Sequence, residues 1–137
     1  MAITTAICNS YKKEVLDGTH VSTDVYKIAL YTDVATLDAS TTAYSATNEV
    51  SGTGYTAGGA TLAGYTSGLS SNTAYITFSD PSWANSTITA RGCLIYNSSK
   101  SNKAVAAFDF GSNVVSVSGT FTIDLPAAGA SALIRIS

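Results

Sequence analysis

Apolar positions in this chain follow two different periods, and the change falls near Asp24. Over residues 3–17, Ile3, Ile7, Tyr11 and Val15 recur every fourth position and Leu16 widens the stripe, while Lys12, Lys13 and Glu14 fall on other faces. That spacing predicts a single helix, stopped by Gly18. A helix this short, with one apolar face, needs a sheet or a neighbouring subunit to pack on. From Asp24 the period becomes two: Tyr26, Ile28 and Leu30 share one face of a predicted strand Val25–Tyr31, with Lys27 on the other.

Residues 33–59 show little periodicity. The stretch from Asp33 to Ala46 is small and polar, and Gly52, Gly54, Gly58 and Gly59 punctuate the next stretch. A loop of this length is uncommon in a compact domain and usually functional, so it is the first place to expect a contact surface. Beyond it, strands are predicted over Ala60–Thr66, Thr73–Ser79, Thr87–Tyr96, Ala104–Phe110, Val114–Val117, Thr120–Leu125 and Ala132–Ile136, with Gly-, Asn- and Pro-bearing turns between them. Many short strands at this spacing argue for a mainly β chain built as an antiparallel β-sandwich, jelly-roll-like, with one short N-terminal α-helix. No composition break divides it, so residues 1–137 read as one domain.

Composition narrows the function. Charged residues make up 12% of the chain, against roughly 25% in an ordinary globular domain, and the net charge is −2. There is no basic footprint for nucleic acid and no apolar run long enough for a membrane span, and Lys12 and Lys13, which interrupt the opening apolar positions, argue against a secretory leader. Cys8 and Cys93 read as buried thiols, with a bridge between them as the alternative; with a single His they cannot complete a zinc site.

Candidate chemistry is sparse. His20 has Asp17 and Asp24 nearby but no recognisable nucleophile, and reads as a surface-loop histidine. Gly52, Gly54 and Ala57 satisfy the spacing of a dinucleotide fingerprint, yet no strand precedes them and no helix start comes after, so a turn is the better reading. Asp80, Asp109 and Asp124 lack calcium-loop spacing. The eight tyrosines mostly alternate with apolar partners and read as core or interface residues. These observations predict no enzyme, no cofactor and no metal.

Several segments, in order, carry a resemblance. They are the opening Met1–Ala6, Tyr26-Lys27-Ile28-Ala29-Leu30-Tyr31-Thr32, Ala43-Tyr44, and Asn48–Gly59. Trp83, Ala90–Asn97, Lys103–Gly111, Gly119–Ile123 and Leu133–Ile136 complete the series. The chain resembles, nearly end to end, a widespread group of small virion structural proteins of tailed bacteriophages. The resemblance implies a noncatalytic particle component made in the host cytoplasm and carried in the virion. Its preferred place is the outer capsid surface, as a decoration or cement protein that binds the major capsid protein and copies of itself, as a homo-oligomer such as a trimer. A head-fibre or tail component with a carbohydrate- or receptor-binding role is the alternative. Contact with the partner is expected through the long loop, at Tyr44, Gly52, Gly54, Tyr55, Gly58 and Gly59, and removal of Ser51–Gly59 is expected to spare the fold.

Overall fold

The computed structural model describes residues 2–136 and runs, in chain order, β1 (Ala6–Ile7), α1 (Asn9–Leu16), β2 (Tyr26–Tyr31), β3 (Ala60–Thr61), β4 (Thr66–Ser70), β5 (Thr73–Thr77), β6 (Ser82–Asn97), β7 (Lys103–Thr122) and β8 (Ile134–Ile136). The chain is mainly β. Its antiparallel strands form a five-stranded sheet in the order β1-β7-β6-β2-β3 and a three-stranded sheet in the order β4-β5-β8. The accessible surface of 6696 Å² is close to the roughly 6,700 Å² that a folded chain of this mass exposes, which leaves room for one core.

The β6–β7 hairpin organises the fold, and its size is the largest departure from the sequence pattern. Gly111-Ser112-Asn113 and Ser118-Gly119 read as turns between three short strands, but the chain carries straight through both within β7. Register shifts along β6 between Trp83 and Ser86, Ser86 and Ile88, and Ala90 and Gly92 absorb the irregularity as bulges. Gly111 and Ser118 take positive φ at these places, so the residues that signal a turn here bend a strand instead. Likewise Gly68 falls inside β4, and the turn to β5 shrinks to Ser71-Asn72.

The helix is also shorter than its apolar period suggests. Ile3 is buried in a parallel bridge with Leu37, and Ala6 and Ile7 pair with Ala107 and Ala106 before the helix starts at Asn9. The segment Ile3-Thr4-Thr5-Ala6-Ile7 is rich in β-branched residues, which lose side-chain freedom in a helix and fit a pleated edge. Tertiary pairing decides the conformation. Tyr11 is the buried residue of α1, and Leu16, the expected widening of the stripe, is left exposed.

Along β2 and the adjoining half of β6, both faces of the five-stranded sheet are covered. On β2 the expected alternation holds for Tyr26, Ile28 and Leu30, yet Ala29 and Tyr31 on the opposite face are buried as well. One face meets the small sheet: Tyr26 packs on Tyr65 and Phe78, with ring centroids 5.7 and 5.5 Å away. The other face meets the long loop, where Tyr44 stacks on Tyr96 at 4.8 Å and the Tyr31 hydroxyl donates to the Ser45 carbonyl at 2.6 Å. The loop has no regular element of its own between β2 and β3 and acts as a covering layer, contributing Ala35, Leu37 and Val50 to the core.

Candidate functional site

Glu49 explains how the loop is held. A bridge between Tyr31 and Glu49 seats its backbone beside β2. Its carboxylate then accepts from the Tyr44 hydroxyl at 2.6 Å, the Tyr55 hydroxyl at 2.5 Å and the Gly58 N–H at 2.8 Å. The Tyr55 oxygen also accepts from the Leu30 N–H at 2.9 Å, and Tyr96 donates to the Gly58 carbonyl at 2.6 Å. Burial pushes the Tyr44 and Tyr55 phenols upward, and the adjacent carboxylate pushes them further, so both remain protonated donors at neutral pH.

The glycines serve close approach to the sheet. A Cβ on Gly59, whose φ is +80°, would lie 1.8 Å from the Ile28 carbonyl oxygen. One on Gly54, with φ +83°, would lie 2.8 Å from the Ser86 Cα, and one on Gly52 2.5 Å from the Thr87 carbonyl oxygen. A bridge between Thr53 and Thr87 fixes the strip alongside β6.

Of the six residues expected to meet a partner, Tyr44, Tyr55, Gly58 and Gly59 make these internal contacts, and Gly52 and Gly54 lie exposed against β6. Between them Ser51, Thr53, Thr56 and Ala57 turn to solvent. The loop therefore offers a small, uncharged, backbone-rich surface, with its tyrosines used inside. The expectation that Ser51–Gly59 can be removed without harm to the fold is corrected by the same contacts. Its removal would strip the Glu49 carboxylate of two donors and uncover β2. Sequence reasoning missed Glu49 because one acidic residue in a polar loop carries no pattern; the nearby Tyr44 and Tyr55 are the only hint.

His20 is also not where the sequence reading placed it. Its side chain is 2% exposed, against Tyr11 at a centroid distance of 4.8 Å. The fold brings it between Glu14 of α1 and Asn97 at the end of β6. Glu14 Oε1 lies 2.9 Å from Nε2, and the Asn97 amide nitrogen lies 3.0 Å from Nδ1. Asn97 also donates to Asp24 at 2.7 Å and accepts from the Ser99 N–H at 3.0 Å, which fixes the amide orientation. His20 Nδ1 is thus the acceptor, and Nε2–H donates to Glu14. Lys100 reaches both Asp24 oxygens at 3.0 Å, and Lys103 lies 3.7 Å from Glu14. Burial opposes the Asp24 charge, but the hydrogen bonds from Asn97, Lys100 and the Val21 N–H outweigh it and hold this carboxyl below its usual range. Both ring nitrogens of His20 are spent inside the chain. The network ties the loop after α1 to the closed end of the hairpin.

Beside this network a groove of about 440 Å³ separates α1 from the small sheet. Tyr11, Val15 and His20 form one wall; Ile76, Ile134 and Tyr75 belong to the other, with Arg135 and the exposed Leu69 and Ile136 at its margin.

The remaining candidates lie apart from both places. Cys8 and Cys93 are buried and unpaired, as the reading of them as thiols expected, and burial raises the Cys8 thiol to about 11 and Cys93 further. Asp80 accepts from the Leu125 N–H at 2.9 Å, and Asp109 pairs with Arg91 at 2.8 Å. Among the described residues, no three of His, Cys, Asp and Glu are grouped to hold a metal ion. The Gly52–Ala57 spacing opens no helix; the chain there runs beside β6 and turns back toward β3. Comparison with protein-family models, curated proteins and solved structures gives no match.

Proposed function

We propose that this chain is a noncatalytic structural protein of a tailed-bacteriophage virion, and that it acts as a decoration protein binding the major capsid protein on the outer surface of the head. The observation that carries the reading is the ordered series of segments, from Tyr26–Thr32 through Ala90–Asn97 to Leu133–Ile136, that resembles such proteins nearly end to end. The physical character of the molecule supports it. Few charges mean that many copies on one shell repel each other weakly, and contacts made by Ser, Thr and backbone groups lose little strength in salt. The loop offers such a surface at Ser51, Thr53, Thr56 and Ala57 on a rigid mount.

A head-fibre or tail component that binds carbohydrate is the second reading, and the groove lined by Tyr65, Tyr75 and Arg135 favours it. A cryo-EM map of the particle separates the two. Hundreds of copies on the capsid support decoration, whereas a handful at a vertex or on the tail supports the second reading. Absence from the particle sinks both.

A further inference from the structure

The two long strands differ in what lies on their outer sides. β6 has β7 on one side and, on the other, β2 along its second half and Thr53 at Thr87. Beyond its pairing with β6, β7 meets β1 at Ala106 and Ala107 and the loop at Ala43; among the described residues, no strand or bridge borders it from Phe110 to Thr122. Along that open edge, alternate residues turn backbone N–H and C=O groups outward.

An edge of this kind is normally blunted by charge, by proline or by cover. Here the stretch Phe110–Ile123 contains no Asp, Glu, Lys, Arg, His or Pro. Its central part, Ser112–Val117, is uncharged and holds three valines, with Val115 60% and Val117 73% exposed. The irregular places at Gly111 and Ser118 bracket it. Between them three pairs run in step, Ala90 with Val114, Thr89 with Val115 and Ile88 with Ser116, and Ser112, Asn113 and Val117 lie at the register shifts on either side. The bulges therefore bend the strand, bringing the Phe110 and Phe121 rings within 6.3 Å, and leave a short uncovered edge centred on Val115.

We infer that Ser112–Val117 is a self-association edge, and that its occupant is the same segment of a second copy, antiparallel across a twofold axis at Val115. The segment is compatible with itself in charge and in shape. A twofold at Val115 sets Val114 opposite Ser116 and joins the exposed row Thr89–Val115 to its own copy. Asp33, which accepts from the Asn113 amide at 3.1 Å, sits at the far end of the segment in each copy, away from the axis. The product is a closed dimer, in place of the threefold assembly that the resemblance implies.

The inference is independent of the virion reading: a chain that dimerises through this edge and ignores capsids leaves it standing and removes the proposed function. Sedimentation of the full chain across a concentration series should show a monomer–dimer equilibrium. Val115→Lys with Val117→Lys should abolish the dimer while circular dichroism stays unchanged and the melting temperature matches that of the parent chain in dilute solution, since both side chains face solvent. Val115→Cys should form a covalent dimer on oxidation, because residues directly opposite bring their Cβ atoms within about 4.5–5.5 Å, and the buried Cys8 and Cys93 do not compete. A chain that stays monomeric throughout, a dimer unaffected by the two lysines, or Val115→Cys that fails to cross-link would each overturn it. So would finding the edge occupied by a capsid strand in a particle map.

Discussion

The β6–β7 hairpin is one pair of strands in two environments. Its inner half, Gly92–Asn97 against Lys103–Asp109, has β2 on one flank and β1 on the other. There Cys93, Leu94, Ile95 and Tyr96 are buried on consecutive positions, as a strand covered on both faces requires. Its outer half, Ser82–Ala90 against Val114–Thr122, has the loop contact at Thr53 and an open edge. Ser86, Ile88 and Ala90 are buried on one strand while Val115 and Val117 are exposed on the other. What holds this half is partly polar: the Ser86 hydroxyl donates to a neighbouring carbonyl, of Trp83 at 3.0 Å or Gly119 at 3.1 Å, and accepts from Ser116 at 2.8 Å. Neighbours on both flanks, more than the strand sequence itself, decide where an apolar run can be continuous.

The largest effect should come from the piece that covers the inner half. Gly59→Ala forces a methyl group into the Ile28 carbonyl at a positive φ, so the loop must lift from β2 and give up the Glu49 anchorage. We expect a loss of more than about 3 kcal/mol in urea unfolding. A near-neutral result would mean that the loop is not part of the core. Next in size is Leu94→Ala, at the fully buried centre of the inner half, where the cavity left in the core should cost about 3 kcal/mol with an unchanged denaturant slope.

The two halves were also unequally legible in the sequence. The inner half announced itself through unbroken apolar runs at 93–96 and 104–108, and the predicted strands there begin within a few residues of those found. The outer half was cut into pieces, because Gly111, Asn113 and Gly119 carry local turn preferences that only a long-range partner strand overrules. The loop is legible as irregular but not as a covering layer: a single Glu49 meeting two tyrosines and a glycine amide is a tertiary event with no local period. His20 is a similar case. Its surroundings come from Asn97, distant in sequence, so nothing beside it in the chain signals burial, and the usual part-exposure of histidines points to the surface.

The closed end of the inner half provides a pH test. Asp24 is charged and depressed in the folded state, so its contribution is fully present above the ordinary carboxylate range near about pH 4 and is lost as pH falls through its lowered value. Asp24→Asn leaves Lys100 without its partner and should cost about 2 kcal/mol at neutral pH. Below that range the variant and the parent chain should converge. A stability difference that persists or grows in acid would assign the effect to packing.

The smallest effect belongs to the outer edge. Val117→Ala removes two methyl groups that are already mostly in water, so almost no apolar area is lost on folding. Alanine also has the weaker strand preference, and the two small terms together should stay within about 0.5 kcal/mol. The measurement belongs at low protein concentration, where only the single chain contributes. A loss of the same size as that from Leu94→Ala would mean that Val117 is covered in solution even in the isolated chain, and the contrast between the two halves would fail. A null result for Val117→Ala in dilute solution, beside a stabilisation of the parent chain that grows with concentration and that the variant lacks, would place the value of this side chain between molecules. The two environments of one hairpin would then divide the work: the inner half holds the fold, and the outer half meets a neighbour.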